Sequence, residues 1–299
     1  MFKNYSILRG LGVLFVFILV VFTGVFFYAY LTGGDSKALS MFAGDGVAVL
    51  QIEGAIDDSQ TVLAELKRFE EMPWVKAIVV RIDSPGGAVA PTQEIFEEIL
   101  RSKKEKPFIA SMGGMATSGG YYVAAACDQI IANPGSLTGS IGVIMQLSNV
   151  EELMKKVGIR GLNVKSGPYK DIASPFQPVS PEGLKILQSL VDNVHSQFVA
   201  AVAKGRGMAE DEVRKLADGR IYSGAQAHEL GLVDQFGTLR DAIELAAKRA
   251  GLDSEPAVYY SRPEQERWWE RLFMGIFGRR LPGRDRSWLR YEWSPSLLQ

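Results

Sequence analysis

Five short runs of β-branched and other apolar residues, Val47–Ile52, Ala77–Ile82, Phe108–Met112, Gln129–Ala132 and Ile141–Met145, recur along the chain. They are apolar on successive positions rather than alternate ones, the pattern of strands buried on both faces. Helical periodicities fall between them at Thr61–Glu71 and Pro91–Lys104, the second with its proline where a first helical turn tolerates one. Strands needing cover on both sides, alternating with helices, predict an α/β domain with a largely parallel sheet. From Ser180 onward the chain reads as helical. Ser180-Pro181 is a cap-and-proline start, and Leu184, Leu187, Val191, Val194 and Phe198 share one apolar face. Further helices are predicted near Ala209–Ala217, Gly224–Leu230 and Leu239–Ala250. No internal repeat is present, so a single catalytic domain over 45–255 is the simplest division.

Ahead of that domain, no residue between Arg9 and Asp35 is charged, and Leu11–Leu31 is almost wholly apolar. As a helix this segment would span about 30 Å, one hydrocarbon core. It exceeds the usual signal-peptide core and lacks a convincing small-residue cleavage site, so it reads as an uncleaved transmembrane signal anchor over 1–34, with a polar linker at 35–44. Apolar residues cover its whole circumference, which disfavours a buried core helix. Lys3 and Arg9 precede it, which predicts a cytoplasmic N-terminus and an extracytoplasmic domain on a single-pass protein. At the other end, 256–299 mixes Trp268, Trp269, Phe273, Phe277, Trp288 and Trp293 with arginines. That tail suits a membrane interface or partner surface, or a solvated segment with a few packed aromatics.

Charge excludes one function class. With 33 basic and 34 acidic residues the chain has no field to draw it to nucleic acid. Cys127 is its one cysteine, so no intramolecular disulfide or multi-thiolate zinc site can form, and its apolar surroundings predict a buried hydrophobe. No cofactor or metal is expected.

Two glycine-rich turns are predicted after strands, Ile82-Asp83-Ser84-Pro85-Gly86-Gly87 and Met112 to Gly120. Neither matches a phosphate loop or a dinucleotide fingerprint. Ser118 lies at the start of a helix through Tyr121–Cys127, where free N–H groups favour negative charge. The Gly119 amide, with Gly86 or Gly87 from the other turn, could hold an oxyanion formed at Ser118. A nucleophilic serine needs a base. Of the two histidines, His195 and His228 both fall within predicted helices and read as packed or surface residues. The alternative is Lys170 in Gly167-Pro168-Tyr169-Lys170-Asp171-Ile172, which could act as a base only if buried, because burial disfavours an ammonium. Asp171 would oppose this unless it faced away, as neighbours on an extended segment do. Taken singly, Ser118 reads better as an ordinary helix cap and Lys170 as an ordinary surface lysine.

Four blocks in order change that balance: Arg81-Ile82-Asp83-Ser84-Pro85-Gly86-Gly87, Ala116-Thr117-Ser118-Gly119-Gly120-Tyr121-Tyr122, Gly135-Ser136-Leu137-Thr138-Gly139-Ser140-Ile141-Gly142-Val143, and Tyr169-Lys170-Asp171. Together they resemble the signature of the S49 serine peptidases of the short signal peptide peptidase type, over about residues 45 to 250. The resemblance implies a crotonase/ClpP-like fold, a spiral of β-β-α units, with Ser118 as nucleophile and Lys170 as general base. It implies that Ser140 orients the lysine and that Gly119 with the Gly86-Gly87 loop forms the oxyanion hole. Asp83 replaces the Asn of many relatives, and little effect is expected from it.

The same resemblance implies ring-like homo-oligomers, octamers, whose dyads join Ser118 of one protomer to Lys170 of its neighbour. The substrate class it implies is signal peptides and other hydrophobic peptides left in the bacterial inner membrane. Competing readings are a stomatin-partner protease of the same clan, a crotonase-fold acyl-CoA enzyme, and a catalytically silent membrane scaffold. Against the acyl-CoA enzyme stand the anchor and the absence of carboxylates other than Asp83 in the glycine turns.

Overall fold

The computed structural model describes residues 14–24, 44–252, 255–261 and 290–292. The chain divides into two units, 1–44 and 45–299. In the first, residues 14–24 are helical with exposed apolar side chains. Among the described residues no helix is long and apolar enough to cross a membrane. The rest of the Leu11–Leu31 span lies outside them, as does the 256–299 tail apart from residues 256–261 and 290–292.

The second unit is built on β1 (Gly46–Glu53), β2 (Val75–Ser84) and β4 (Phe108–Thr117), parallel neighbours at the centre of an eight-stranded sheet ordered β7-β6-β4-β2-β1-β9. The outer members are β6 (Leu137–Gly139), β7 (Ile221–Ser223) and β9 (Ala257–Tyr260). Two more strands, β5 (Gln129–Ala132) and β8 (Gln235–Phe236), continue the sheet off that path. Every pairing is parallel except β6 with β7. The predicted strand at Ile141–Met145 does not form. The strand of that block is three residues of β6, and the glycine and serine after it turn the chain away from the sheet.

Successive side chains of a strand face opposite sides. Ala48, Leu50, Ile78 and Val80 therefore point into the larger core, under α1 (Gln60–Glu70), α2 (Val89–Ser102), α3 (Gly119–Ala124) and the end of α5 (Pro181–Arg206). Val47, Val49, Ala77 and Val79 face the other way. There Ala242, Ala246 and Ala247 of α8 (Leu239–Arg249) lie close against the strands. Cover on both faces is what the continuous apolar runs demanded. α5 begins as the sequence predicts: the Ser180 hydroxyl accepts from the Gly183 N–H at 3.0 Å, with Pro181 in the first turn. Between β8 and α5, Asp234 anchors the chain by accepting from Arg206 at 2.6 Å and from the Ile130 N–H at 2.7 Å.

The second glycine-rich segment is not a turn. β4 runs through it to Thr117, and Gly113 and Gly114 form a bulge: Ile82 pairs with Met112 but Ser84 with Ala116. The carboxylate of Asp83 fills the bulge, accepting from the Gly114 N–H at 3.3 Å and the Met115 N–H at 3.1 Å. A Cβ on Gly113 would stand 2.7 Å from an Asp83 oxygen, so any side chain there would push the carboxylate from its place. Asp83 thus has a larger role than the sequence suggested. It holds the bulge that carries β4 onward to Ser118.

Candidate active site

Three adjacent parallel strands deliver the site. β2 ends in the loop carrying Gly86 and Gly87, β4 ends at Ser118, and β6 ends at Ser140. Thr117 pairs with Gly139 and Ser84 with Ala116, so the residues that follow emerge side by side at the carboxyl ends of neighbouring strands. Ligand sites of parallel sheets form at that edge. The Ser118 N–H donates to the Gly139 carbonyl at 2.8 Å, which ties the two serine turns together, and the Ser140 N–H donates to the Arg220 carbonyl at 2.8 Å.

Ser118 (φ 52°) and Ser140 (φ 50°) are the two non-glycine residues with positive φ among the described residues. Such a conformation costs a side-chain-bearing residue about 1–3 kcal/mol and persists where surrounding structure over-determines it. At Ser118, with ψ −114°, it forms a sharp strand-to-helix turn. The hydroxyl is buried, and its Oγ has no hydrogen-bond partner. An ordinary cap would accept from a helix amide, and Ser118 makes no such bond. That removes the helix-cap alternative.

The oxyanion glycines stand close by. α3 starts at Gly119, whose first-turn amides have no intrahelical acceptor. A Cβ on Gly120 would lie 3.0 Å from the Ser84 carbonyl, so the helix start rests directly on the 84–87 loop. Gly86 has φ +100°, and its N–H donates to Ser84 Oγ at 3.1 Å. Gly87 is wedged against Ile56, where a Cβ would fall 2.3 Å from the carbonyl oxygen. Ser84, Ser136 and Thr138 were not singled out from sequence. Ser136 Oγ donates to the Gly113 carbonyl at 2.7 Å and Thr138 Oγ1 to the Ala116 carbonyl at 2.9 Å, bracing β4 just before Ser118. Small hydroxyl residues inside a glycine-bearing block were their only trace in the sequence.

Lys170 is not brought to Ser118 within the chain. It sits on an exposed turn after α4 (Glu151–Lys156), and its side chain is in solvent rather than buried. The segment is a turn, not the extended stretch expected, so alternation does not separate Asp171 from the lysine. A different device does. The Asp171 carboxylate accepts from Lys165 at 2.5 Å and from the Asn163 amide at 3.2 Å, and the Lys165 ammonium holds it below the usual carboxylate range. Large apolar side chains are exposed on both sides of this turn, among them Ile159, Leu162 (90 %), Val164 (96 %), Phe176 and Leu184.

His195 and His228 are both helical, as predicted. His228 is exposed and its ring lies 4.6 Å from that of Phe236. His195 is half-buried with an unpartnered Nε2, and with Ser140, Val143 and Val191 it lines an open cleft of about 490 Å³ that does not include Ser118. Cys127 is buried and burial pushes its thiol up, the inert hydrophobe expected. Among the described residues no group of His, Cys, Asp and Glu could hold a metal.

A serine held on a tight turn at the rim of a mainly parallel sheet, beside a glycine loop, belongs to an α/β fold of the ClpP/crotonase-like kind, and the Clp protease model matches residues 39–137. The chain belongs to peptidase family S49, whose model matches residues 101–253, and is a serine peptidase that hydrolyses peptide bonds. It is 46% identical over 211 residues to a Synechocystis sp. protein named as a protease, covering 70% of this chain and 76% of that one. It is 40% identical over 202 residues to an Enterococcus faecium protein named as signal peptide peptidase SppA, with 67% and 59% of the two chains covered. Protease 4 of Salmonella typhi is 34% identical over 227 residues, 73% of this chain and 37% of its own length.

Proposed function

We propose that this S49 peptidase is a membrane-anchored endopeptidase that uses a Ser118/Lys170 dyad shared between protomers to cut signal peptides and other hydrophobic peptides at the bacterial inner membrane. The observation that carries the dyad is the pairing of two incomplete halves. Ser118 has a buried, unpartnered Oγ on a strained turn, and Lys170 is an exposed amine on a segment studded with exposed apolar side chains. Exposed apolar surface of this extent marks an interaction site. Packing that segment on a second copy would bury it, desolvate Lys170 and bring an amine to a neighbour's serine. In this reading the Lys170 amine takes the Ser118 proton as Oγ attacks the scissile carbonyl. The Gly119 amide and the Gly86-Gly87 loop stabilise the tetrahedral oxyanion, and the lysine then returns the proton to the leaving amine. Ser140, beside Ser118 on the adjacent strand end, orients the amine.

The charge-free 10–34 segment supports the anchor, with Lys3 and Arg9 keeping the N-terminus in the cytoplasm and the peptidase domain outside. An apolar substrate left in the bilayer matches that location. The name of the Enterococcus relative points to the same substrate class.

The test is subunit complementation with a fluorogenic signal-peptide substrate. Ser118→Ala and Lys170→Ala should each be inactive yet folded, His195→Gln should remain active, and co-assembled Ser118→Ala and Lys170→Ala chains should recover hydrolysis. Activity in either single variant would refute the dyad. No recovery in the mixture would refute its sharing between protomers.

A further inference from the structure

Midway along α5, Gln188, Val191, Asp192 and His195 are spaced as one face of the helix. The half of α5 that follows sinks into the larger core through Phe198, Val199 and Val202, whereas this face lines the cleft of about 490 Å³ whose opposite wall includes Ser140, Val143 and Ile144. The wall is braced from behind. The Gly219 N–H donates to the Ile141 carbonyl at 3.2 Å, and a Cβ on Gly142 would stand 3.2 Å from the Gly219 Cα, so the 217–219 turn lies directly against the chain leaving Ser140. Ser118 does not line the cleft, but Thr117 pairs with Gly139, so the two serines leave neighbouring strand ends about 4.8 Å apart. The cleft therefore begins beside the nucleophile, where a side chain of a bound peptide can enter it.

Its walls are apolar and its charges are acidic. Val143, Ile144 and Val191 supply the apolar surface, Asp192 and Asp218 the carboxylates, and no lysine or arginine lines it. Asp218 is engaged by Arg220, whose Nε donates to it at 2.7 Å. Asp192 accepts from the Gln188 amide at 2.7 Å and has no ion-pair partner among the described residues. His195 adds a buried Nε2 without a hydrogen-bond partner. An apolar trough that ends at an unpaired carboxylate suits a side chain with an aliphatic stem and a cationic head. We propose that this cleft is a substrate subsite for a lysine or arginine: the stem lies along Val143 and Val191, the cation meets Asp192, and the His195 nitrogen gains the polar partner it lacks. The proposal rests on the reading of Ser118 as nucleophile and deepens it. A signal peptide carries its positive charges directly ahead of its apolar core, so a subsite of this kind directs the cut to the end of the core that adjoins them. Asp192 is exposed, and exposed ion pairs are weak, so the subsite ranks peptides rather than admitting or refusing them.

The experiment uses the full chain in non-ionic detergent with matched fluorogenic apolar peptides that carry lysine, norleucine or glutamate at a single position, scanned outward from the scissile bond, and the cut is mapped by mass spectrometry. At one position the wild-type kcat/KM for the lysine peptide should exceed that for the norleucine peptide about fivefold, the scale of an exposed ion pair. Asp192→Asn should remove that preference, and Asp192→Lys should favour the glutamate peptide over the lysine peptide. A lysine-to-norleucine ratio that is unchanged in both variants overturns the inference. So does an equal slowing of both peptides, which would mean that the cleft seats something other than a substrate side chain, such as the Lys170 turn of a neighbouring protomer. If wild type cuts none of the peptides, the Ser118 reading has failed and the subsite is judged separately by fluorescence anisotropy of the labelled peptides. Tighter binding of the lysine peptide that Asp192→Asn abolishes supports the subsite, and equal or absent binding of the lysine and norleucine peptides overturns it.

Discussion

Replacing Ser118 by glycine should stabilise the protein while abolishing hydrolysis. Two costs meet at this residue, a backbone with φ 52° and ψ −114° and a buried Oγ without a partner. The backbone conformation costs about 1–3 kcal/mol for a residue with a Cβ and is nearly free for glycine, against which the looser unfolded chain of a glycine sets roughly 0.4–1 kcal/mol. A buried hydroxyl without a partner costs about 1–3 kcal/mol more. Ser118→Ala removes only the hydroxyl cost. Ser118→Gly removes both, for a net gain of about 3 kcal/mol at the middle of these ranges. For a domain of this size each kcal/mol shifts Tm by about 2–4 °C, so calorimetry should place the glycine variant about 6–12 °C above wild type and the alanine variant between them. A glycine variant melting at or below the alanine variant would refute the claim that the turn at Ser118 stores backbone strain.

Two further outcomes are expected. Gly87→Ala forces a methyl to within 2.3 Å of the Ile56 carbonyl, so the oxyanion loop must shift; kcat/KM should fall by about 10²-fold with an unchanged circular-dichroism spectrum, and near wild-type activity would exclude the loop from the oxyanion hole. Lys165→Ala frees the Asp171 carboxylate, one residue from the proposed base, to hold the Lys170 ammonium. The rising limb of kcat/KM against pH should then move to higher pH and return in Lys165→Ala/Asp171→Asn, whereas an unmoved limb would show that Asp171 is not electrostatically coupled to the base.

The hydrophobic patterning determined the α/β class, because strands buried on both faces cannot be stable without helices on both sides, and Val47–Ile52, Ala77–Ile82 and Gln129–Ala132 carry that requirement locally. The cap at Ser180, the inert Cys127 and the glycine blocks were equally local, since each depends on residues a few positions apart. The bulge at Gly113 and Gly114 was not legible. Its cause is the Asp83 carboxylate on the neighbouring strand, and a pairing thirty residues distant leaves no periodicity in the chain. Nor could sequence place Ser140 beside Ser118, or pair residues 290–292 with the strand Gly86–Ala88. Those depend on strand register, which is decided by the packing of the whole sheet. Lys170 marks the remaining boundary: the exposure of a lysine depends on what packs over its segment, and the fold leaves this one on an exposed turn.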